Sequence, residues 1–295
     1  MPKSLVAVGA PSRPLLILNP QAGGASASAD AEARAIALFP DGKVVHPHDP
    51  GEAIAALDAR DAATDAIIVG GGDGSVSSIL APLIASGLPL GVLPLGTAND
   101  FARSIGIADL DAAFAAIRSG MVRAIDVGEA NGHLFLNTIA IGLPAAAARE
   151  LTSELKKRLG MFAAAAVIPK IIRRGRSFSV EIEDEGGTIV VQSCIAVLAG
   201  SGRYIGGFPV AYDDLQDGVL HLVAARARSW WAAFSILGSA LVRRLPQDWN
   251  VTERATPLCT VRTSRPLDVA LDGDIAFKTP VDLRIHPEAI RVFAG

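Results

Sequence analysis

The sequence predicts two folding units: an α/β N-terminal domain built on a doubly wound parallel sheet, then a β-rich sandwich or barrel carrying helical inserts. Three observations carry this expectation. Up to residue 127, strand-like apolar runs alternate with Ala-rich helical runs, as in a parallel sheet covered by helices on both faces. Three of those strands end in polar, glycine-rich turns, so their ligand-type residues all fall at strand carboxyl ends. From residue 128 onward, β-rich runs dominate, and turns such as Glu185-Gly186-Gly187 suit hairpins. At 295 residues the chain also exceeds the usual size of a single core. The expected division is 1–127 and 128–285, with 286–295 returning to the first domain through Ile290–Phe293.

In the first half the strands are read at Leu15–Asn19, Gly42–His46, Ala66–Val69 and Leu88–Leu93 from their short apolar runs. Between and after them, Ala31–Leu38, Glu52–Ala59, Ser75–Ala85, Asn99–Ile105 and Leu110–Ser119 have helical spacing and length. In the second half, strands are expected at His133–Ala140, Ser177–Glu183, Thr188–Leu198, Val219–Ala224, Leu258–Arg262, Leu267–Leu271 and Val281–Ile285. Helical inserts are expected near Ala145–Ile172 and Trp230–Leu245. No internal repeat interrupts this pattern.

Composition narrows the function. Half of the residues are hydrophobic, enough for two cores, and the net charge of −3 gives no electrostatic case for nucleic acid. Cys194 and Cys259 lack metal-ligand spacing and read as reduced, buried thiols of a cytoplasmic protein. The first residues lack the apolar core of a signal peptide. Met161–Ile172 and Trp230–Val242 are too short to span a bilayer. Their basic and aromatic flanks suit either peripheral membrane contact or ordinary core helices with basic ends. Histidines 46, 48, 133, 221 and 286 show no metal-ligand pattern, and no Gly-x-Ser-x-Gly elbow points to a hydrolase.

The chemistry concentrates in three strand-end loops. Ala66-Ile67-Ile68-Val69 runs into Gly70-Gly71-Gly72-Asp73-Gly74-Ser75, a turn with almost no side chains ahead of a helix. Glycines let a backbone approach a bulky anion, and backbone N–H groups at a helix start can receive it. A carboxylate in such a nest has a use when the anion travels with Mg²⁺. The second loop, Leu93-Pro94-Leu95-Gly96-Thr97-Ala98-Asn99-Asp100-Phe101-Ala102-Arg103, offers backbone freedom at Gly96, a hydroxyl at Thr97 and capping groups at Asn99 and Asp100. The third, Asn19-Pro20-Gln21-Ala22-Gly23-Gly24, follows the first strand.

Together these blocks resemble the diacylglycerol kinase catalytic family, which includes bacterial lipid kinases, sphingosine kinases and ceramide kinases. The resemblance continues through Arg123-Ala124-Ile125-Asp126-Val127-Gly128, Phe135-Leu136-Asn137 and Asp272-Gly273-Asp274, from about Pro14 to Gly295. The Gly-Gly-Asp-Gly block alone also suits NAD kinases and phosphofructokinases, and the first domain is expected to share their fold. The resemblance implies an ATP- and Mg²⁺-dependent lipid kinase that phosphorylates a primary hydroxyl of a lipid such as diacylglycerol. It places ATP against Asn19, Gly71, Gly72, Asp73, Gly74, Ser75, Gly96, Thr97 and Asn99. It makes Asp73, Asp126 and Asp274 the Mg²⁺-organising carboxylates, with Asp274 standing where the family usually has Glu, and Asp272 the candidate general base.

The resemblance also implies a structural Mg²⁺ in a second Asp-Gly loop, held by Asp217 and the carbonyl of Leu215. Here Pro209-Val210-Ala211 sits two residues early, so a solvated acidic turn stands equal to the metal loop. By itself Asp272-Gly273 is a favoured hairpin pair. The implied partner is a lipid at a membrane surface. A soluble small-molecule kinase and a catalytically silent lipid-binding protein on the same fold remain the rival readings. The acceptor lipid and the oligomeric state, a homodimer included, are open at this stage.

Overall fold

Residues 15–18 and 67–71 are buried at every position, without polar alternation, which is the mark of strands covered on both faces. In the computed structural model, which describes residues 5–150, 177–200, 204–205, 208–209, 215–226 and 250–294, they are the central strands of the first of two units. That unit comprises Met1–Val127 and Pro287–Gly295, and the second comprises Gly128–His286.

The first unit runs β1 (Val6–Ala7), β2 (Leu15–Leu18), α1 (Ala25–Leu38), β3 (Lys43–Val45), α2 (Pro50–Asp58), β4 (Ile67–Gly71), α3 (Asp73–Ser77), α4 (Leu80–Ser86), β5 (Leu90–Pro94), α5 (Asp100–Ser104), α6 (Leu110–Ser119) and the start of β6 (Met121–Ala130). Strands β3, β2, β4 and β5 are parallel neighbours in that order. Leu18 pairs with Gly70, Gly70 with Leu93, and Gly71 with Pro94. Side-chain caps set the helix starts. Asp49 accepts from Glu52 N at 2.9 Å with Pro50 behind it, and Asp109 accepts from Ala112 N at 2.8 Å. The single helix expected over Ser75–Ala85 is instead two, α3 and α4. Pro82 lacks the N–H that would continue the ladder from Ser78, so the chain breaks and restarts, leaving the proline in the first turn of α4.

The second unit continues with β7 (His133–Phe135), β8 (Thr138–Gly142), α7 (Leu143–Glu150), β9 (Phe178–Asp184), β10 (Gly187–Gly200), β11 (Tyr204–Ile205), β12 (Phe208–Pro209), β13 (Leu220–Arg226), β14 (Val251–Thr256), β15 (Leu258–Thr263), β16 (Asp268–Leu271), β17 (Asp274–Lys278) and β18 (Val281–Phe293), whose last residues belong to the first unit. Its strands follow the order β17-β16-β8-β10-β9-β15-β18, each neighbouring pair antiparallel. The long β10 has β9 along its first half and β8 along its second, with β13 on the opposite edge. Ser193, at φ 57°, forms the irregularity where the partner changes. Phe135, Ile139, Val180, Val197, Leu222, Val261 and Leu283 meet in one core.

The fold class agrees with the expectation from sequence, and the differences have local causes. The strand expected over His133–Ala140 is interrupted at Leu136-Asn137, whose N–H groups bond to a side chain and not to a neighbouring strand. Strands β14 and β17 escaped notice because neither has an alternating apolar pattern. Strand β18 extends beyond Ile285 to pair in parallel with β5 at Val292 and Leu90. Most of both helical inserts, with Met161–Ile172 and Trp230–Val242, lies outside the described residues. Among the described residues no helix is long and apolar enough to cross a membrane.

Candidate active site

Because β2, β4 and β5 are parallel and in register, their carboxyl ends deliver Asn19, Gly72 and Leu95 to one edge of the sheet. Main-chain bonds fix the exits: Asn19 N donates to Gly70 O at 2.8 Å, and Leu95 N to Gly71 O at 3.0 Å. The loops then pack backbone to backbone. A Cβ on Gly96 would collide with Cα of Gly72, and one on Gly23 would stand 2.8 Å from Leu95 O. A Cβ on Gly71 would strike Ser75, whose hydroxyl receives a bond from Asn19 Nδ2 at 3.2 Å. These glycines are therefore required by the fold itself.

Gly74 differs. It is exposed, its φ is not positive, and a Cβ built on it meets nothing within 4 Å. Glycine in a helix costs about 1 kcal/mol relative to alanine. Among the described residues nothing requires that cost at position 74. The open space above it is what a ligand approaching the backbone would fill.

The acidic residues are each held by main-chain donors. Asp73 accepts from Asp100 N at 3.1 Å and Phe101 N at 2.8 Å, which ties the first glycine loop to the start of α5. Asn99 adopts the left-handed conformation (φ 51°) and brackets Gly96, accepting from its N–H at 2.9 Å and donating to its carbonyl at 2.8 Å. Thr97 is exposed beside them. Asp126, fully buried on β6, accepts from Glu288 N at 2.8 Å. These contacts all lie within the first unit.

In the second unit, Asp272 and Gly273 form the two-residue turn between β16 and β17, with φ of 46° and 99°. The expected turn and the expected carboxylate thus coincide in one residue. The Asp272 carboxylate accepts three main-chain bonds, from Leu136 N at 2.9 Å, Asn137 N at 2.8 Å and Thr138 N at 3.0 Å. Asp274 opens β17 and is exposed. Among the described residues, neither unit by itself gathers three acidic, histidine or cysteine side chains as a metal cluster.

In the loop expected to hold a structural ion, the Asp217 carboxylate has partners within the chain. Asp217 accepts from Val219 N at 3.1 Å, and His221 Nε2 reaches its other oxygen at 2.6 Å. Leu215 is buried beside it, while Asp213 and Asp214 lie outside the described residues. An ion on Asp217 would share the carboxylate with the imidazole. Sequence reasoning gave no role to His221, Glu288, or the Asp100 and Phe101 amides. A main-chain donor carries no residue-type signal, and His221 stands four positions from Asp217 on a strand, where that spacing is not a recognised pattern. Burial raises the thiol of Cys194 to about 11 and that of Cys259 to about 12, so neither is a nucleophile at neutral pH.

Residues 13–130 match the family model of the diacylglycerol kinase catalytic domain. A Staphylococcus aureus protein named "Putative lipid kinase SAB0675c" is 27% identical over 238 residues, covering 77% of this chain and 76% of its own length. An uncharacterized protein of Synechocystis is 28% identical over 235 residues, covering 77% of this chain. The matched region spans only 54% of that cyanobacterial protein. A crystal structure described as "a putative diacylglycerol kinase from Bacillus anthracis str. Sterne" superposes with a TM-score of 0.81 at 25% identity, covering 98% of this chain and 97% of its own.

Proposed function

We propose that this chain, whose residues 13–130 match the family model of the diacylglycerol kinase catalytic domain, is an ATP-dependent lipid kinase. It transfers the γ-phosphoryl group to a primary hydroxyl of a lipid such as diacylglycerol. The kinase class is supported by the family match, and the lipid acceptor by the name of the staphylococcal relative. The observation that carries the nucleotide assignment is Gly74, a helical glycine with open space above it on the edge where three strand-end loops meet. The ATP phosphates lie against Gly71–Ser75, with Asn19, Gly96, Thr97 and Asn99 lining the adjoining loops.

Asp73 and Asp126 belong to the first unit, and Asp272 and Asp274 to the second. All are hard oxygen donors, the type Mg²⁺ takes. An ionised carboxylate has about four acceptor positions, so the two main-chain bonds on Asp73 leave room for metal-bound water. When bound, Mg²⁺ neutralises the phosphate charge that grows in the transition state. Asp272 takes the proton of the acceptor hydroxyl as its oxygen bonds to the γ-phosphorus, and the bridging bond to the β-phosphate breaks to release ADP. Three amide donors hold the carboxylate in a single orientation for that transfer. The protein meets its lipid by peripheral contact with a membrane surface.

The test is incubation with total lipid extract, γ-labelled ATP and Mg²⁺, with the labelled product identified by mass. A phosphorylated lipid is the expected result. Label only in soluble small molecules would replace the lipid reading with that of a soluble kinase. Lipid binding without transfer would leave a silent lipid-binding protein.

A further inference from the structure

Asn137 is a buried polar residue, 4% exposed, whose amide oxygen has no hydrogen-bond partner among the described residues. An unsatisfied buried acceptor is costly, and each instance in a folded protein calls for a reason. Its main chain is pinned from two sides. The Asn137 N–H donates to Asp272 Oδ1 at 2.8 Å, and the Asn137 carbonyl lies so close to Gly200 that a Cβ there would collide with it. The main chain of Asn137 is therefore held directly against the Asp272 turn.

We propose that Asn137 selects the acceptor by taking a hydrogen bond from a second donor group beside the hydroxyl that reacts. This rests on the kinase reading above. The reacting hydroxyl has one hydrogen, and Asp272 receives it. Asn137 Oδ1 thus needs a different hydrogen, carried on the neighbouring carbon as a hydroxyl or an amine. Diacylglycerol has no such group; a monoacylglycerol diol and a sphingoid amino alcohol do. The oxygen is covered in the unliganded protein, and its bond forms as the lipid enters, as catalytic hydrogen bonds commonly tighten only in the complex. A site built to bond a donor discriminates strongly against an analogue without one, because its own acceptor is then left unpaired.

The experiment measures kcat/KM in mixed micelles for a diacylglycerol, a monoacylglycerol and a sphingoid base, with wild type, Asn137→Leu and the smaller Asn137→Ala. Wild type is expected to favour one donor-bearing lipid over diacylglycerol by at least about tenfold, and the hydroxyl and amine arms identify which donor is used. In both variants that ratio should collapse to about one. Without lipid, Asn137→Leu should not lower Tm and is expected to raise it by about 2–4 °C, since it removes an orphaned acceptor. Equal efficiency of wild type on all three lipids overturns the inference alone. So does an equal loss on every lipid with the ratio intact, which marks a structural role or a buried water on Oδ1. A wild type that phosphorylates none of the three overturns the lipid reading and this inference with it.

Discussion

Asp272 occupies a position where a turn residue and a chemical group coincide. Asparagine keeps its size, but its NH₂ must face one of the three N–H groups the carboxylate now receives. Asp272→Asn is therefore expected to lower kcat by at least about 100-fold as the proposed base is lost. It should also lower stability by about 1–3 kcal/mol as the amide contacts are disturbed. ATP affinity should hold, which nucleotide titration of the same preparation would check; near-normal turnover would reduce Asp272 to a turn. Gly74→Ala separates ligand from fold in the opposite sense. Its new methyl meets no protein atom, so Tm should stay or rise, while the KM for ATP rises at least about tenfold as the methyl enters the phosphate's space. An unchanged KM would remove the phosphates from this loop.

Among the elements, the sequence blocks prove to be hydrogen-bond partners of one another. The Asp73 block grips the start of α5, and the Asp272 turn grips the bend between β7 and β8. This gives a physical reason for the blocks to occur together, one that no reading of either block alone supplies. Asp73→Asn turns an NH₂ toward an α5 amide, so activity should fall and be partly restored by higher Mg²⁺, readable in a Mg²⁺ titration of kcat. A second clamp is purely structural. Asp184, at the end of β9, takes a paired bond from Arg254 on β14, and that guanidinium holds its carboxyl below the usual carboxylate range. A depressed folded value contributes stability above the unfolded value of about 3.9, and that contribution is lost as pH falls through the folded value. Urea unfolding should thus show Asp184→Asn less stable than wild type at pH 7, with the gap closing in strong acid. A gap independent of pH would mean that packing, not charge, holds the two strands.

At the scale of the molecule, the proposed assignment expects Mg·ATP at about 100 times its Kd to stabilise the first unit by about 2.7 kcal/mol. Thermal shift measures this, and Asp272→Asn should retain the shift because the base acts on the acceptor. Loss of the shift in that variant would contradict the assignment of ATP to the first unit's loops. The alternation of strand and helix, the glycine turns and the change to β-rich sequence at residue 128 were legible without coordinates, since periodicity and backbone freedom are local properties. The same locality made the candidate acids nameable by residue type. The tertiary structure alone decided which glycines the fold requires and that Gly74 is not among them. It also showed that Pro82 splits one helix into two, and that His221 closes the Asp217 loop. Those outcomes depend on what stands opposite a residue after the chain has folded back on itself. Main-chain amides do most of that holding, and every non-proline residue carries one, so no sequence pattern distinguishes the amides that grip Asp73, Asp126 and Asp272 from the rest.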